Sequence, residues 1–292
     1  MFEFDCVRAR DLGEALALLA RGGAEAAVLA GGTDLHVLMR SGARKPRVVV
    51  AIAGIPDLRL CEVTDGTVRL GAALCHAEIA RHPRLAGVEA LTQAARAVGS
   101  PQIRNAGTVG GNVANASPAG DLYPPLLALE GRVGLASAAS RREVALDDFV
   151  TGPGQTKLAP GEMITGVAFG TPAGKFYSGF AKIGLRNAVA ISVANCAMVA
   201  TAPAGRFGDV RLACGAVAPR PIRMRKAEAL LVGERLTAGL VEEVSRTASA
   251  ECDPITDIRA TAAYRRHVAG VLVARLVRAA WRDLTGADVE QA

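Results

Sequence analysis

Two glycine-rich segments constrain this chain more than any other feature. The first, Ala30-Gly31-Gly32-Thr33-Asp34, follows directly on a short apolar run, Ala26–Ala30. Adjacent glycines let a backbone approach a ligand closely and turn successive N–H groups into one concavity, which suits an anion such as pyrophosphate. Thr33 can add a hydroxyl. Asp34 is awkward beside a phosphate and reads as the cap of the next helix, Leu35 to Arg40. The second segment, Gly107-Thr108-Val109-Gly110-Gly111-Asn112, continues through Asn115-Ala116-Ser117-Pro118-Ala119-Gly120-Asp121. Thr108, Asn112, Asn115, Ser117 and Asp121 there offer short polar groups on a glycine-rich backbone, a second nest able to clamp a diphosphate and a polyol chain away from water. A plain tight turn is the alternative for the first segment, and a polar surface loop for the second. Neither segment is GxGxxG or GxxxxGK[ST], so a dinucleotide would have to be held in another way.

The rest of the chain reads as mixed helix and strand. Asp11 to Arg21 has Leu12, Ala15, Leu16 and Leu19 at helical spacing, and Val48 to Ile52 is a fully apolar strand. Asp65-Gly66 marks a hairpin between strands around Val63 and Val68. Helices are expected at His76–Arg81 and Leu85–Val98, then a long functional loop over Gly99–Asp121. Strands follow near Arg132, Glu143 and Met163, and Gly170-Thr171-Pro172-Ala173-Gly174 is the best linker. Beyond it, Phe176–Lys182, Ile191–Thr201 and Val210–Val217 alternate as strands. The end is helical: Thr261–Leu284 carries Tyr264, Val268, Val271, Leu272, Leu276 and Ala279 on one stripe, with Asp257 or Thr261 as its cap.

Composition excludes several classes. Half of the 292 residues are hydrophobic, enough to bury a large core in two or three lobes, yet the apolar stretch Ala188–Ala202 is interrupted by Ser192, Asn195 and Thr201 and is too short to span a bilayer. The opening MFEFDCVRAR is no signal peptide, so the cytoplasm is the expected location. The six cysteines form no CxxC pair, which argues against an iron–sulfur or zinc site on this chain; they read as small buried hydrophobes. Residues 1–150 carry 16 basic and 16 acidic side chains, and residues 151–292 carry 18 and 12. The densest basic run, Arg220, Arg223, Arg225 and Lys226, lacks interleaved aromatics, so no nucleic-acid partner is expected. It reads as a solvated surface or a docking face for an acidic partner.

Taken together, AGGTDL at 30–35 and IRNAGTVGGNVANASPAGD at 103–121 resemble the FAD signatures of the molybdenum hydroxylases, the xanthine dehydrogenase and carbon monoxide dehydrogenase group. The resemblance runs over nearly the whole chain, through VAIAGIPDLR at 50–59, LGAALCHAEIA at 70–80, LAPGEMIT at 158–165, FAKIGLRNAVAIS at 180–192 and DIRATAAYRRHVAGVLVARL at 257–276. It implies an α+β chain with a PCMH-type two-lobed FAD-binding domain followed by a smaller C-terminal α/β domain, with lobes at 1–55 and 56–172 and the last domain at 175–292. It implies non-covalent FAD, cradled by Leu29, Ala30, Gly31, Gly32, Thr33, Asp34 and Leu35 and contacted by Thr108, Gly111, Asn112, Asn115 and Asp121. Ile164 would be an apolar backbone contact, and Lys182 a cation near the isoalloxazine, where it would stabilise the reduced form; Arg186 is a weaker companion. His36 and His76 fit the family only loosely and read as structural. An aromatic found before the second loop in eukaryotic members is absent at Ala97–Ser100, and so is the cysteine loop that holds an extra cluster in some relatives.

The implied function is electron transfer. A molybdopterin-binding large subunit oxidises a substrate, [2Fe–2S] clusters on a small subunit relay electrons, and FAD on this chain hands them to NAD+, oxygen or a quinone. No catalytic acid, base or metal ligand is then needed here. A stand-alone flavin oxidoreductase of the same fold would need a base and an aromatic wall, which three Tyr and one Trp supply poorly. A non-enzymatic assembly protein would not need both glycine loops intact.

Overall fold

The computed structural model describes residues 3–289. The chain opens with β1 (Asp5–Arg8), α1 (Leu12–Gly22), β2 (Ala26–Leu29), α2 (Leu35–Arg40) and β3 (Val48–Ala51). The three strands form a parallel sheet in the order β1-β3-β2. Helix α1 starts where the Asp11 carboxylate accepts the Glu14 amide at 2.8 Å, and buries Ala15, Leu16 and Leu19 against this sheet. Strand β3 is central, which explains its unbroken valine run.

A second unit follows: β4 (Cys61–Thr64), β5 (Thr67–Gly71), α3 (His76–Ile79), α4 (Glu89–Ala97), α5 (Pro101–Ala106), α6 (Val109–Asn115), α7 (Tyr123–Ala128), β6 (Arg132–Ala136), β7 (Arg141–Ala145), α8 (Leu146–Phe149), β8 (Val150–Gly152), β9 (Gln155–Thr156) and β10 (Met163–Gly170). Its antiparallel sheet runs β4-β5-β10-β6-β7. Asp65 and Gly66 both have positive φ, 50° and 73°, as a tight hairpin turn requires. The expected long loop over Gly99–Asp121 is a correction: most of it folds as α5 and α6, capped by Ser100 and Thr108. Glycine content hid the helical caps.

The final unit holds β11 (Tyr177–Gly184), β12 (Ser192–Ala200), β13 (Val210–Gly215), β14 (Ile222–Arg223), α9 (Arg225–Leu231), α10 (Ala238–Glu251) and α11 (Ala262–Thr285), with an antiparallel sheet in chain order. All nine residues of β12 are buried. Side chains alternate across a strand, and here both faces are covered. Ala197 and Val199 join the core of the second unit, while Ala194, Cys196, Met198 and Ala200 join the core under α11. The C-terminal sheet therefore closes its neighbour's core as well as its own.

Thr261 caps α11, its hydroxyl accepting the Tyr264 amide at 3.2 Å. The buried stripe of α11 is Val268, Ala269, Leu272, Val273, Leu276, Val277, Ala280 and Trp281; Tyr264 and Ala279 are exposed, which shifts the expected face by about a residue. Cys61, Cys75, Cys196, Cys214 and Cys252 are buried, but Cys6 is exposed. Among the described residues no helix is long and apolar enough to cross a membrane.

Candidate functional site

The three units enclose a cleft of about 800 Å³, within the range of sites for large organic ligands. Ala30, Gly31, Gly32, Thr33, Asp34 and Leu35 line one wall, and Thr108, Gly111, Asn112, Asn115, Asp121 and Ile164 line others. Leu29 sits behind the first wall on β2, and Lys182 lies outside the lining.

The first loop is a donor array. The backbone amides of Gly31, Gly32, Thr33, Asp34 and Leu35 donate to no acceptor among the described residues. Five successive unspent amides beside a cleft fit an anion. Gly32 has φ 72°, and a Cβ on Gly31 would overlap the Ala106 carbonyl, so both glycines are required by geometry. Asp34 does not act as the expected cap: its carboxylate accepts Asn115 Nδ2 at 3.1 Å and the Thr33 hydroxyl at 3.3 Å. The Asn115 bond ties the first loop to the last residue of α6, 81 positions away.

The second segment works differently from the nest its sequence suggests. Its first amides are already used: Val109 N donates to Leu74 O at 3.0 Å, Gly110 N to Ala72 O at 2.9 Å, and Gly111 N to the Thr108 hydroxyl at 3.1 Å. Gly110 lets α6 pack against Ala72, where a Cβ would come within 2.6 Å of another. This segment instead presents side chains. Oδ1 of Asn112 is buried with no hydrogen-bond partner, and so is Nδ1 of His76 across the cleft lining. Burial, with a lesser push from the Arg104 charge, lowers the His76 pKa to about 4, so its imidazole is neutral near pH 7. His76, read from sequence as structural, is thus part of the wall; nothing in its spacing distinguishes it.

Asp121 anchors the junction with the C-terminal unit. Its Oδ1 accepts Ser192 Oγ at 2.6 Å and Asn195 Nδ2 at 2.8 Å, and its Oδ2 pairs with Lys182 Nζ at 2.5 Å. Lys182 also donates to Ala97 O at 3.1 Å. The ammonium expected near a flavin ring is therefore engaged behind the wall. Arg186 is likewise turned back onto its own loop, donating to Val189 O. Lining residues that sequence reasoning passed over include Val98, Gly99, Val189, Ala190, Ile191 and Arg259. Val189, Ala190 and Ile191 come to the cleft with β12, which packs against the second unit.

The basic run resolves into internal pairs. Arg223 is buried and bonds Glu228 at 2.5 Å and 3.0 Å, while Arg220 and Arg225 both pair with Asp147. Arg223 therefore belongs neither to the solvated surface expected of this run nor to a docking face, while Arg225 stays largely exposed.

FAD fits these residues. The amide row suits its pyrophosphate, and the unpartnered Asn112 and His76 atoms offer hydrogen bonds to its polar middle. Fold and cleft together define an α+β flavoprotein with a two-lobed PCMH-type domain and an α/β domain appended to it. The chain belongs to the molybdenum hydroxylase family, as one of its FAD-binding subunits. Residues 2–172 match the family described as FAD binding domain in molybdopterin dehydrogenase, and residues 180–280 match the CO dehydrogenase flavoprotein C-terminal domain. The carbon monoxide dehydrogenase medium chain of Hydrogenophaga pseudoflava is 32% identical over 93% of this chain and 95% of its own. The xanthine dehydrogenase FAD-binding subunit of Escherichia coli O157:H7 is 31% identical over 95% of this chain and 96% of its own. A solved structure of carbon monoxide dehydrogenase from Hydrogenophaga pseudoflava superposes with TM-score 0.92 at 31% identity, covering 97% and 98% of the two chains.

Proposed function

We propose that this chain is the electron-transfer junction of a heteromeric molybdenum hydroxylase working in the cytoplasm. In this reading a large molybdopterin-binding subunit oxidises the substrate and a small subunit relays electrons through [2Fe–2S] clusters. The FAD held here supplies the chemistry that converts single electrons into a pair for an external acceptor, NAD+, oxygen or a quinone. The chain's own residues bind and orient. Gly31 to Leu35 and Thr33 Oγ1 hold the diphosphate, and Thr108, Gly111, Asn112, Asn115 and Asp121 shape the ribityl and adenosine track. Ile164 supplies an apolar wall. Lys182 acts on the flavin indirectly, by fixing Asp121 and the strand that carries it toward the cleft.

The observation that carries this reading is the row of five unspent amides on residues lining a cleft whose lining also includes two side chains with a buried, unpartnered atom. The test is the visible spectrum of the purified chain, followed by denaturation and identification of released flavin. FAD freed without covalent attachment is the expected result. Protein that stays colourless after incubation with FAD would overturn the proposal. Co-purification with two partner subunits carrying molybdopterin and iron–sulfur clusters tests the wider assignment.

A further inference from the structure

The C-terminal unit contributes one charged side chain to the cleft lining, Arg259. It is not placed there casually. Asp257 accepts the Arg259 Nε at 3.0 Å and Nη2 at 2.6 Å, and also the backbone amides of Arg259 and Ala260 at 2.9 Å and 3.3 Å. The oxygen that takes the two amides, Oδ1, also accepts Arg265 Nη2 at 2.6 Å. Arg265 is buried on α11 and donates to Val193 O at 2.8 Å and Ala216 O at 3.1 Å. The loop carrying Arg259 is thereby bolted to the start of β12. Two guanidinium groups share one carboxylate, so the cluster keeps a net positive charge. Arg259 Nη1 has no acceptor among the described residues. A guanidinium stays protonated at any working pH, so this charge is permanent.

The lining residues of this unit suit the ring of a flavin better than its diphosphate. Ser192 bonds Asp121, and the residues just before it, Val189, Ala190 and Ile191, line the cleft. Val98 and Gly99 line the same corner, next to the Ala97 carbonyl that Lys182 holds. Apart from Asp121, whose charge Lys182 balances, these lining residues offer alkyl groups and backbone, as a flat ring requires, whereas the amide row lies on the first unit. This part of the lining is also open and apolar: Val189 is 48% exposed and Ile191 61%. A ring that receives electrons from another subunit belongs at such an opening. Lys182, the cation the sequence points to, has its charge balanced by Asp121 at 2.5 Å.

We propose that Arg259, positioned by Asp257, is the cation that faces the ring end of the flavin and raises its reduction potential by favouring the negative charge that reduction places on the N1–C2=O edge. This rests on the FAD reading above and adds to it a tuning residue from the C-terminal unit. The test uses the full chain loaded with FAD, as wild type, Arg259→Gln and Arg259→Lys. Two readouts are independent of turnover: the midpoint potential by spectroelectrochemistry, and the affinity for sulfite, whose flavin adduct is favoured by the same positive charge.

In Arg259→Gln the potential is expected to fall and sulfite to bind about tenfold more weakly, the scale of one lost charge-assisted hydrogen bond. Arg259→Lys should recover most of both. A flavin-loaded Gln variant with unchanged potential and sulfite affinity overturns the inference. So does a variant that binds FAD more weakly while its loaded fraction keeps wild-type sulfite affinity, since that places the guanidinium on the diphosphate. Wild-type chain that takes up no FAD sinks the underlying FAD reading, an outcome separable from both.

Discussion

At the scale of single residues, the cleft depends on atoms that have no room or no partner. Gly31 is the clearest case, because any side chain there collides with the backbone of Ala106, which cannot swing aside. Gly31→Ala is expected to cost about 1–3 kcal/mol, the usual range for overpacking, and to lose FAD as the two walls separate. Thermal unfolding and the flavin-to-protein ratio check both effects. His76 gives a prediction in pH. Its folded pKa is lowered from 6.5 to about 4 by burial. Between those values the unfolded chain takes up a proton that the folded chain refuses, so stability falls as pH falls through that window. The whole loss is on the order of 3 kcal/mol. Denaturant titrations of the apoprotein from pH 7 to pH 4 should show this slope, and His76→Leu should flatten it. Glu78 and Glu162 are shifted down from 4.5, so their own losses begin near that value and overlap only the acid end of this window.

At the scale of elements, helix α6 shows how one motif is divided between packing and binding. Thr108 caps the helix and Gly110 lets it seat on Ala72, which leaves Asn112 and Asn115 for the cleft and for Asp34. The α10–α11 pair rests on a similar device. A Cβ at Gly270 would strike the Ser249 hydroxyl and come within 2.6 Å of Ser245 O, so the two helices meet through a bare backbone. Gly270→Val should therefore force them apart at a cost of about 1–3 kcal/mol. It should lower the melting temperature while leaving flavin uptake at low temperature intact, because the cleft draws no lining residue from this crossing. A Gly270→Val protein as stable as wild type would show that the helices have slack to absorb the side chain.

At the scale of the whole molecule, the cleft is a three-way seam. Its lining comes from the parallel sheet unit, the antiparallel unit and the C-terminal unit. A ligand that binds only this assembled state must stabilise it by mass action, by about 2.7 kcal/mol at a hundredfold excess over its Kd. FAD added to the apoprotein is expected to raise the unfolding temperature in a concentration-dependent way. FMN, which lacks the pyrophosphate that the Gly31–Leu35 amides fit, should raise it much less at equal concentration. Equal shifts from the two would mean the amide row is not the anchor. The charge excess of the second half follows the same seam logic: Arg220, Arg223 and Arg225 neutralise Asp147, Glu228 and Glu130 within the fold, and Arg223 also reaches the Leu127 carbonyl across the unit boundary.

Local chemistry made much of this legible from the residues alone. Periodicity and caps disclosed α1, β3, the hairpin at Asp65-Gly66 and α11, because each depends on neighbours a few positions away. The glycine pairs disclosed where a backbone had to come close to something, and the family motifs named that something as FAD. What the residues could not disclose depends on contacts between distant segments. The segment 99–121 reads as loop because glycine hides the helices that Ser100 and Thr108 start. Asp34 reads as a cap because Asn115 lies 81 positions away. Lys182, expected to face the ligand, is held instead by Asp121, which does line the cleft, since a buried charge is held best by an opposite one. His76 and Arg259 enter the cleft only through the packing of α3 and the anchoring of Asp257 by Arg265. The sequence determined which backbone could cradle an anion; the tertiary structure decided which charges remained free to act on it, because that depends on which partners fold brings within reach.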